Sequence, residues 1–402
     1  MDGLGPFEPA PRLALAVSGG ADSLAAALLA RDWAAARGGS VHAFVVDHGL
    51  RSQSAAEAQV TGTRLARLCV PHTVLSIRGL SPGPALAARA RARRHQCLAE
   101  ACVAAGILHL VFGQHAADQA ETVAMRMLAG SGPHGLAAMA ALVERAGVRL
   151  LRPLLGTPPA ALRDLLRREG LAWVEDPSNV DPSQQRARLR LLRADPGGFG
   201  AATLALGASA RARGQARRAA EQAVAEILGR RATIYPQGHA LLSPGPIAPA
   251  ALASLIATLS GAVRPHSEAA LAALAAAPRP ATIGGVRLMP AGRLGPGLLL
   301  VREAAAMARP IPAVAHALWD GRFRLARSQP CGVSIGAWGD AAPRDRNGWP
   351  LAVLRTLAVL RVGDAVIEPA QALLEGRHPH ICFAPAHPAA GADFYPLPTV
   401  YG

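Results

Sequence analysis

From its first apolar run to residue 151, the chain alternates short apolar runs with alanine-rich segments of helical spacing. Strands that alternate with helices favour a parallel sheet with helices on both faces. The predicted strands cover residues 13–17, 41–46, 72–77, 107–112 and 148–151. The predicted helices cover residues 24–37, 55–68, 84–105 and 118–128. The predicted fold class is therefore α/β with a doubly wound parallel sheet, and such sheets bind ligands beyond the carboxyl ends of their strands.

The remainder of the chain has a different character. Residues 201–231 show a long helical pattern dotted with arginines, and residues 246–277 predict two more helices. Beyond residue 280 proline and glycine are frequent, with short strand-like runs at 297–301 and 323–326. We therefore predict three parts, which are an α/β domain at 1–195, a helical segment at 196–280 and a small mixed α/β or β-rich region at 281–402.

The net charge of +15 indicates a polyanionic partner. Every one of the 42 Lys and Arg residues is arginine, a preference that the base composition of a GC-rich gene explains. Base composition does not explain the surplus, because aspartate and glutamate could have balanced it. Nucleic acid is the first candidate for such a partner.

The five cysteines include no Cys-x-x-Cys pair, which argues against zinc and iron–sulfur sites. Unpaired cysteines of this kind fit the reduced thiols of a cytoplasmic protein. No apolar run approaches the length of a membrane span, and the N-terminus lacks the pattern of a secretory signal. We therefore expect a cytoplasmic protein that does not associate with membranes.

The loop VSGGADS, at residues 17–23, lies between the first predicted strand and the first predicted helix. Glycines let the backbone approach a ligand closely, and the positive end of the following helix favours an anion. The loop lacks the GK[ST] element of the Walker motif and the GxGxxG pattern of dinucleotide-binding folds. A lone Ser-Gly-Gly is usually an ordinary tight turn, but at the first strand end of an α/β domain SGGxDS indicates phosphate binding.

Two further polar stretches follow predicted strands. Asp47 and His48 end the second strand, and the sequence GQHAADQAET at 113–122 follows the fourth. Asp118 and Glu121 in this second stretch lie three residues apart at the start of a helix and share a face. Their oxygens suit magnesium, although acidic residues are also favoured at helix N-termini for electrostatic reasons. The fold would bring both stretches and the glycine loop to one edge of the sheet.

SGGADS resembles the pyrophosphate loop, or PP-loop, of the N-type ATP pyrophosphatases, which cleave ATP to AMP and pyrophosphate. Several families share this loop, and the other motifs select among them. The set resembles the tRNA(Ile)-lysidine synthetase family, closely over residues 12–195 and loosely beyond. The motifs occur in the order VDHGLR at 46–51, ARARR at 90–94, DQAET at 118–122, GSGPHGL at 130–136, RPLL at 152–155 and EDPSN at 175–179.

The resemblance implies a ligase that forms a carbon–nitrogen bond. ATP adenylates the oxygen on carbon-2 of the wobble cytidine in tRNA(Ile) with a CAU anticodon. The side-chain amine of free L-lysine then displaces AMP, so that the products are lysidine, AMP and pyrophosphate. ATP is the co-substrate and magnesium the expected metal. The oligomeric state is open, with a homodimer as one candidate.

The resemblance also assigns roles to particular residues. ATP binding falls to Ser18, Gly19, Gly20, Ala21, Asp22, Ser23, Asp47 and His48. The expected metal ligands are Asp22, Asp118 and Glu121, and the expected catalytic residues are Asp22, Asp118, Arg91 and Arg94. Contact with tRNA phosphates falls to Arg186, Arg188 and Arg190. A helix cap is the alternative role for Asp22, and a solvated helix face is the alternative for the arginines.

The chain departs from the family pattern at several positions. Gln114 stands where the family has a histidine, Ala117 where it has an aspartate, and His95 where it has a tyrosine, and the family's RNR becomes RAR at 186–188. Two other functions therefore stay open. One is a tRNA thiolase of the same loop class, against which the absence of Cys-x-x-Cys argues. The other is an inactive relative that binds tRNA or nucleotide, against which the intact glycine loop argues.

Overall fold

The computed structural model describes residues 1–47, 49, 54–77, 79, 83, 86–145, 147–174, 185–262, 267–343, 348–367, 372, 374–376 and 378–389. The chain divides into two compact units, Met1–Ala219 and Ala220–Ala392. The three-part domain division stays a prediction. In the part of the chain that the structure describes, no helix is long and apolar enough to cross a membrane.

A six-stranded sheet forms the centre of the first unit, in the strand order β3-β2-β1-β4-β6-β5. All neighbours pair in parallel except β5 and β6, which form an antiparallel hairpin. The strands are β1 Arg12–Val17, β2 Ser40–Asp47, β3 His72–Ser76, β4 His109–Phe112, β5 Leu142–Arg145 and β6 Val148–Leu151. The helices are α1 Ala21–Ala35, α2 Ser54–Arg67, α3 Leu86–Ala104, α4 Ala116–Leu128, α5 Pro133–Leu136, α6 Pro159–Arg168 and α7 Gln185–Arg193, followed by α8 Ala201–Arg231, which runs on into the second unit.

Helices cover both faces of this sheet, because alternate residues of its strands point to opposite sides. Leu13 and Leu15 of β1 join the apolar cluster formed with α1 and α6, whereas Ala14 lies in a second cluster with Leu98 and Cys102 of α3. The doubly wound arrangement predicted from the sequence is confirmed. The sheet also contains an antiparallel edge strand, β5, which the sequence did not predict.

The second unit contains antiparallel sheets. A five-stranded sheet has the order β7-β8-β11-β10-β9, a four-stranded one β12-β15-β16-β17, and a three-stranded one β13-β14-β18. Its helices are α9 Pro249–Ser260, α10 Glu268–Ala276 and α11 Leu351–Thr356. Its strands are β7 Ala232–Tyr235, β8 His239–Leu242, β9 Ala281–Ile283, β10 Val286–Pro290, β11 Leu298–Arg302, β12 Ile311–Pro312, β13 Leu318–Trp319, β14 Phe323–Leu325, β15 Val333–Ala337, β16 Ala358–Val362, β17 Ala365–Val366 and β18 Ile381–Phe383.

The helix predicted at 201–231 coincides with α8, and the two helices predicted in 246–277 are α9 and α10. The hairpin of β7 and β8 lies between them, in a stretch that the sequence assigned to helices. Its turn is Pro236-Gln237-Gly238, and Gly238 has a φ of 80°, a conformation that glycine adopts without strain.

Candidate active site

The loop at 18–23 is built around a glycine that no other residue can replace without movement. Gly19 has a φ of 84°, in the left-handed region. A Cβ at this position would also overlap the Thr61 hydroxyl of α2. Torsion and space therefore both require glycine, and the loop backbone lies directly against α2.

Hydrogen bonds fix the shape of this loop. The Ser18 amide donates to Ser23 Oγ at 3.2 Å, and that hydroxyl donates to the Gly20 carbonyl at 3.0 Å. The Val174 amide donates to the Gly19 carbonyl at 3.0 Å. Among the described residues no side chain caps α1 at Gly20, so its first amides face the loop with the positive end of the helix behind them. This arrangement suits an anionic ligand such as a phosphate.

His115 connects the loop to the N-terminus of α4. Its Nε2 lies 3.3 Å from Asp22 Oδ2 and 3.6 Å from Asp118 Oδ2. The Asp118 amide donates to His115 Nδ1 at 3.4 Å, and the His115 amide donates to Asp118 Oδ2 at 3.2 Å. The two residues form a reciprocal cap on α4. Asp22 and Asp118, distant in sequence, are thus brought to one side chain.

Glu121 lies one turn further along α4 and is fully buried. Arg190 of α7 donates from Nε to its Oε1 at 2.6 Å and from Nη2 to its Oε2 at 3.3 Å. The same Nη2 lies 3.4 Å from Asp118 Oδ1. We call Asp22, Asp118, Glu121, His115 and Arg190 the carboxylate cluster.

The charges in the carboxylate cluster act on one another. Burial lowers the pKa of His115, but the hydrogen bond with Asp22 and the nearby charges of Asp118, Asp22 and Glu121 outweigh it and raise the pKa overall. Burial likewise lowers the pKa of Arg190, and its hydrogen bond to Glu121 and the carboxylate charges raise it overall. The buried His115 and the half-buried Arg190 are therefore each compensated by anions of the protein itself.

The two arginines predicted to be catalytic lie on α3. Arg91 is exposed, and its pKa is lowered by burial of part of its side chain and by the charge of Arg186, whereas Asp118 raises it. Arg94 is largely buried, and burial followed by the charge of Arg91 lowers its pKa. The fields of Arg186 and Asp118 at Arg91 show that α3, α4 and α7 meet at this edge of the sheet.

Part of this donor set suits magnesium. Among the described residues no group of three or more His, Cys, Asp or Glu side chains has the arrangement of a metal site. Magnesium, however, is often held by one or two carboxylates together with substrate phosphates. Asp22 fits that mode, since its Oδ1 is buried and accepts no hydrogen bond from any residue that the structure describes. Glu121 fits less well, because Arg190 occupies both of its oxygens.

The remaining predicted residues are distributed as follows. Asp47 ends β2, and its Oδ1 accepts a hydrogen bond from the Gly49 amide at 3.0 Å. Arg188 is exposed on α7, and Arg186 is half-buried on the side of Arg190. His48 lies outside the described residues, as does the EDPSN motif at 175–179.

Three residues of this edge were given no role from the sequence. His115 lies inside the strand-four motif, but the motif assigns roles only to its acidic neighbours Asp118 and Glu121. The sequence marks Gln114 only as a departure from the family pattern and Arg152 only as part of a motif. In the structure Arg152 Nε donates to Gln114 Oε1 at 2.6 Å. The pairing of β4 with β6 brings these two together, and a linear motif does not reveal it.

Comparison with known proteins gives a consistent result. The family model for the PP-loop domain matches residues 4–193. The tRNA(Ile)-lysidine synthase of Mesorhizobium japonicum is 38% identical over 346 residues, covering 82% of this chain and 76% of that protein. The enzyme of the same name from Ruegeria pomeroyi is 37% identical over 333 residues, covering 79% of this chain and 77% of that protein.

A third relative aligns over a shorter stretch. The tRNA(Ile)-lysidine synthase of Rhodopseudomonas palustris is 46% identical over 188 residues, which are 46% of this chain and 54% of that protein. The chain thus spans about half the length of some curated relatives that it matches, with 54% and 52% covered in two of them.

Proposed function

The chain belongs to the tRNA(Ile)-lysidine synthase family, and on that premise we propose that it ligates free L-lysine to carbon-2 of the wobble cytidine of tRNA(Ile) with a CAU anticodon. ATP supplies the energy and leaves as AMP and pyrophosphate. The observation that carries this proposal is the contact of one histidine with carboxylates from both the glycine loop and α4, at the sheet edge where such folds bind their ligands.

The first step transfers AMP to the cytidine. The oxygen on carbon-2 attacks the α-phosphorus of ATP, the bond to the β-phosphate breaks, and pyrophosphate leaves. The loop at 18–23 holds the departing β- and γ-phosphates with its backbone and hydroxyl donors. Arg91 and Arg94 stabilise the charge that develops on the transferred phosphoryl group.

The second step is the attack of lysine. Its side-chain ammonium must lose a proton, since a group of pKa ~10.4 is not a nucleophile while protonated. The neutral amine then forms a bond to carbon-2, and the oxygen leaves with AMP. Asp22 and Asp118 place carboxylates beside this reaction, and His115 orients both of them.

Magnesium is expected at Asp22 and Asp118, with Glu121 as the third predicted ligand. When bound, it would neutralise charge on the triphosphate. Asp47 and His48 are proposed to contact the adenine side of ATP. Arg186 and Arg188 are proposed to contact tRNA phosphates, which position an RNA without reading its sequence. Arg190 was predicted to share this role, but its contacts with Glu121 and Asp118 support a structural role in the carboxylate cluster.

Pyrophosphate release from ATP tests the proposed function. We expect release by the purified chain to require a tRNA(Ile) transcript with a CAU anticodon, and the same transcript with a CAC anticodon serves as the control. Labelled lysine should become attached to the tRNA. Binding of both ATP and tRNA without pyrophosphate release would identify the chain as an inactive relative. The alanine at position 117, where the family has an aspartate, would then be the first explanation to examine.

A further inference from the structure

Next to the carboxylate cluster lies a second group of charged side chains that the proposed mechanism uses only in part. Phe112, the last residue of β4, is its floor. The His95 ring lies 5.1 Å from the Phe112 ring between centroids, and the Arg152 guanidinium carbon lies 5.7 Å from the same centroid. Arg91 and Arg94 reach this place from the helix that carries His95. We call Arg91, Arg94, Arg152 and His95 the arginine cluster.

Within the described part of the chain, the hydrogen-bond partners of Arg152 are neutral groups. It is 8% exposed, its Nε donates to Gln114 Oε1 at 2.6 Å, and its Nη1 donates to the Ala140 carbonyl at 3.0 Å. Arg94 is also largely buried, and its Nε has no hydrogen-bond acceptor among the described residues. Neither arginine forms an ion pair with a described carboxylate.

Among the described residues, the charges that shift the pKa values of His95, Arg94 and Arg152 are all those of arginines. Burial lowers the pKa of His95 to about 4, together with the charges of Arg91, Arg94 and Arg152. Burial lowers the pKa of Arg152 to about 10, together with the charges of Arg91 and Arg145. Arg94 is affected by burial and by Arg91. Arg91, which also experiences Asp118, is the one member for which a carboxylate acts on the pKa.

Burying several positive charges together costs free energy unless an anion neutralises them. Buried charges are normally paired, and arginine does not escape by losing its proton at neutral pH. The guanidinium fork matches phosphate oxygens in geometry, and several such forks around a small space are typical of phosphate recognition. The cluster also lies beside the glycine loop, because a Cβ on Gly113 would come within 2.5 Å of the Asp22 carbonyl oxygen.

We propose that Arg152, held by Gln114, completes with Arg94 a phosphate-binding pocket on the His95 side of α3, separate from the glycine loop. This deepens the proposed function and rests on it for the identity of the ligand. The phosphate is either that of ATP at the point of transfer or a backbone phosphate of the tRNA beside the target nucleotide. Gln114 is a positioning residue, since it acts on the phosphate only through Arg152.

The test adds a competing negative charge without removing an arginine. In Gln114→Glu a carboxylate would pair with Arg152 and neutralise the pocket from within, and the new ion pair should preserve the fold. The matched control is Gln96→Glu, which adds the same charge at an exposed position of α3, the helix that carries Arg94 and His95. Dissociation constants of ATP are measured by equilibrium dialysis and those of a tRNA(Ile) transcript by filter binding at several salt concentrations.

We expect Gln114→Glu to weaken binding of ATP, of the tRNA or of both by at least about tenfold, whereas Gln96→Glu stays within about twofold. Weaker ATP binding identifies the ATP phosphate as the ligand. Weaker tRNA binding with a flatter dependence on salt, by about one charge, identifies an RNA phosphate. Arg152→Gln should give the same pattern if it folds.

The proposal is overturned if Gln114→Glu binds both molecules as wild type does while remaining folded. A second readout is the pKa of His95, measured by NMR from its ring protons and assigned with His95→Gln. Saturation with the ligand identified above should raise that pKa, because an anion favours the protonated ring; an unchanged value would also overturn the proposal. Both readouts are independent of turnover, so they distinguish failure of this pocket from failure of the proposed ligase activity.

Discussion

The carboxylate cluster and the arginine cluster lie at the same sheet edge, but their cations have different partners. In the first, Arg190 donates twice to the fully buried Glu121, and His115 lies between Asp22 and Asp118. In the second, Arg94 and Arg152 face other cations, and the polar partners of Arg152 are an amide and a carbonyl. In the first cluster each cation has carboxylate partners from the protein itself, whereas in the second Arg94 and Arg152 require an anion from outside.

This contrast has a consequence for function. Ion pairs within the protein fix the positions of the side chains in the carboxylate cluster. The arginine cluster lacks such pairs and therefore favours the binding of a ligand with negative charge. Removing a cation should therefore lower the free energy of unfolding when the cation belongs to the carboxylate cluster. It should raise the free energy of unfolding when the cation belongs to the arginine cluster.

Loss of the loop carboxylate should have the largest effect. Asp22→Asn should lower the rate of pyrophosphate release by at least about 10³-fold, because it removes a charge aimed at the reacting phosphates. Affinity for tRNA should stay within about twofold. Asp32→Asn, an exposed aspartate on the same helix, is the control. A collapse of tRNA affinity in Asp22→Asn would show that Asp22 supports the fold or the RNA site instead of the chemistry.

Breaking the balanced pair should destabilise the chain strongly. Arg190→Met leaves the buried Glu121 carboxylate without its partner and should lower the free energy of unfolding by about 3–5 kcal/mol. The double variant Glu121→Met with Arg190→Met should recover much of this loss, since no uncompensated charge remains. Urea denaturation measures both. A double variant as unstable as Arg190→Met alone would contradict the charge explanation.

Removing one cation of the arginine cluster should have the opposite sign. Arg94→Met keeps an apolar side chain of similar length, and we expect the free energy of unfolding to rise by about 1 kcal/mol. Arg93→Met on the exposed side of α3 should change it by less than about 0.5 kcal/mol. If Arg94→Met is destabilised as Arg190→Met is, the two clusters do not differ in the way described here.

The last prediction concerns pH. The pKa of His95 is lowered to about 4 in the folded chain, below its ordinary value of about 6.5. The unfolded chain therefore binds the proton first, and stability is lost as the pH falls from about 6.5 towards 4. His95→Tyr, the residue of the family, removes this contribution, so its stability relative to wild type should increase as the pH falls. If the difference in the free energy of unfolding between His95→Tyr and wild type does not vary with pH, the pKa of His95 does not contribute to stability.

Much of the α/β unit could be predicted from its sequence. Apolar runs identified β1 and β6, and alanine-rich spacing identified α1 and α4. The short hairpin strand β5 was not predicted, because two of its four residues are exposed and its sequence, LVER, has no clear strand pattern. β7 and β8 were missed because the strong helical patterns on both sides dominated the assignment.

The site was predictable in part. Sheet topology alone brought the glycine loop and the strand-four motif together, and Asp22 and Asp118 do meet there through His115. The direction of Arg190 was not predictable, since a row of arginines does not reveal which helix face turns inward. The contact of Arg152 with Gln114 depends on the β4–β6 register, a tertiary feature without a sequence signal.

The central claim is that this sheet edge ligates lysine to a tRNA nucleoside, and the most direct measurement is the mass of the wobble nucleoside itself. Wild-type chain is incubated with ATP, magnesium, lysine and a tRNA(Ile) transcript with a CAU anticodon, and the tRNA is then digested to nucleosides. We predict a nucleoside with the mass of cytidine plus lysine minus water, absent with Asp22→Asn. Unmodified cytidine in a sample that binds both ATP and tRNA would contradict the claim.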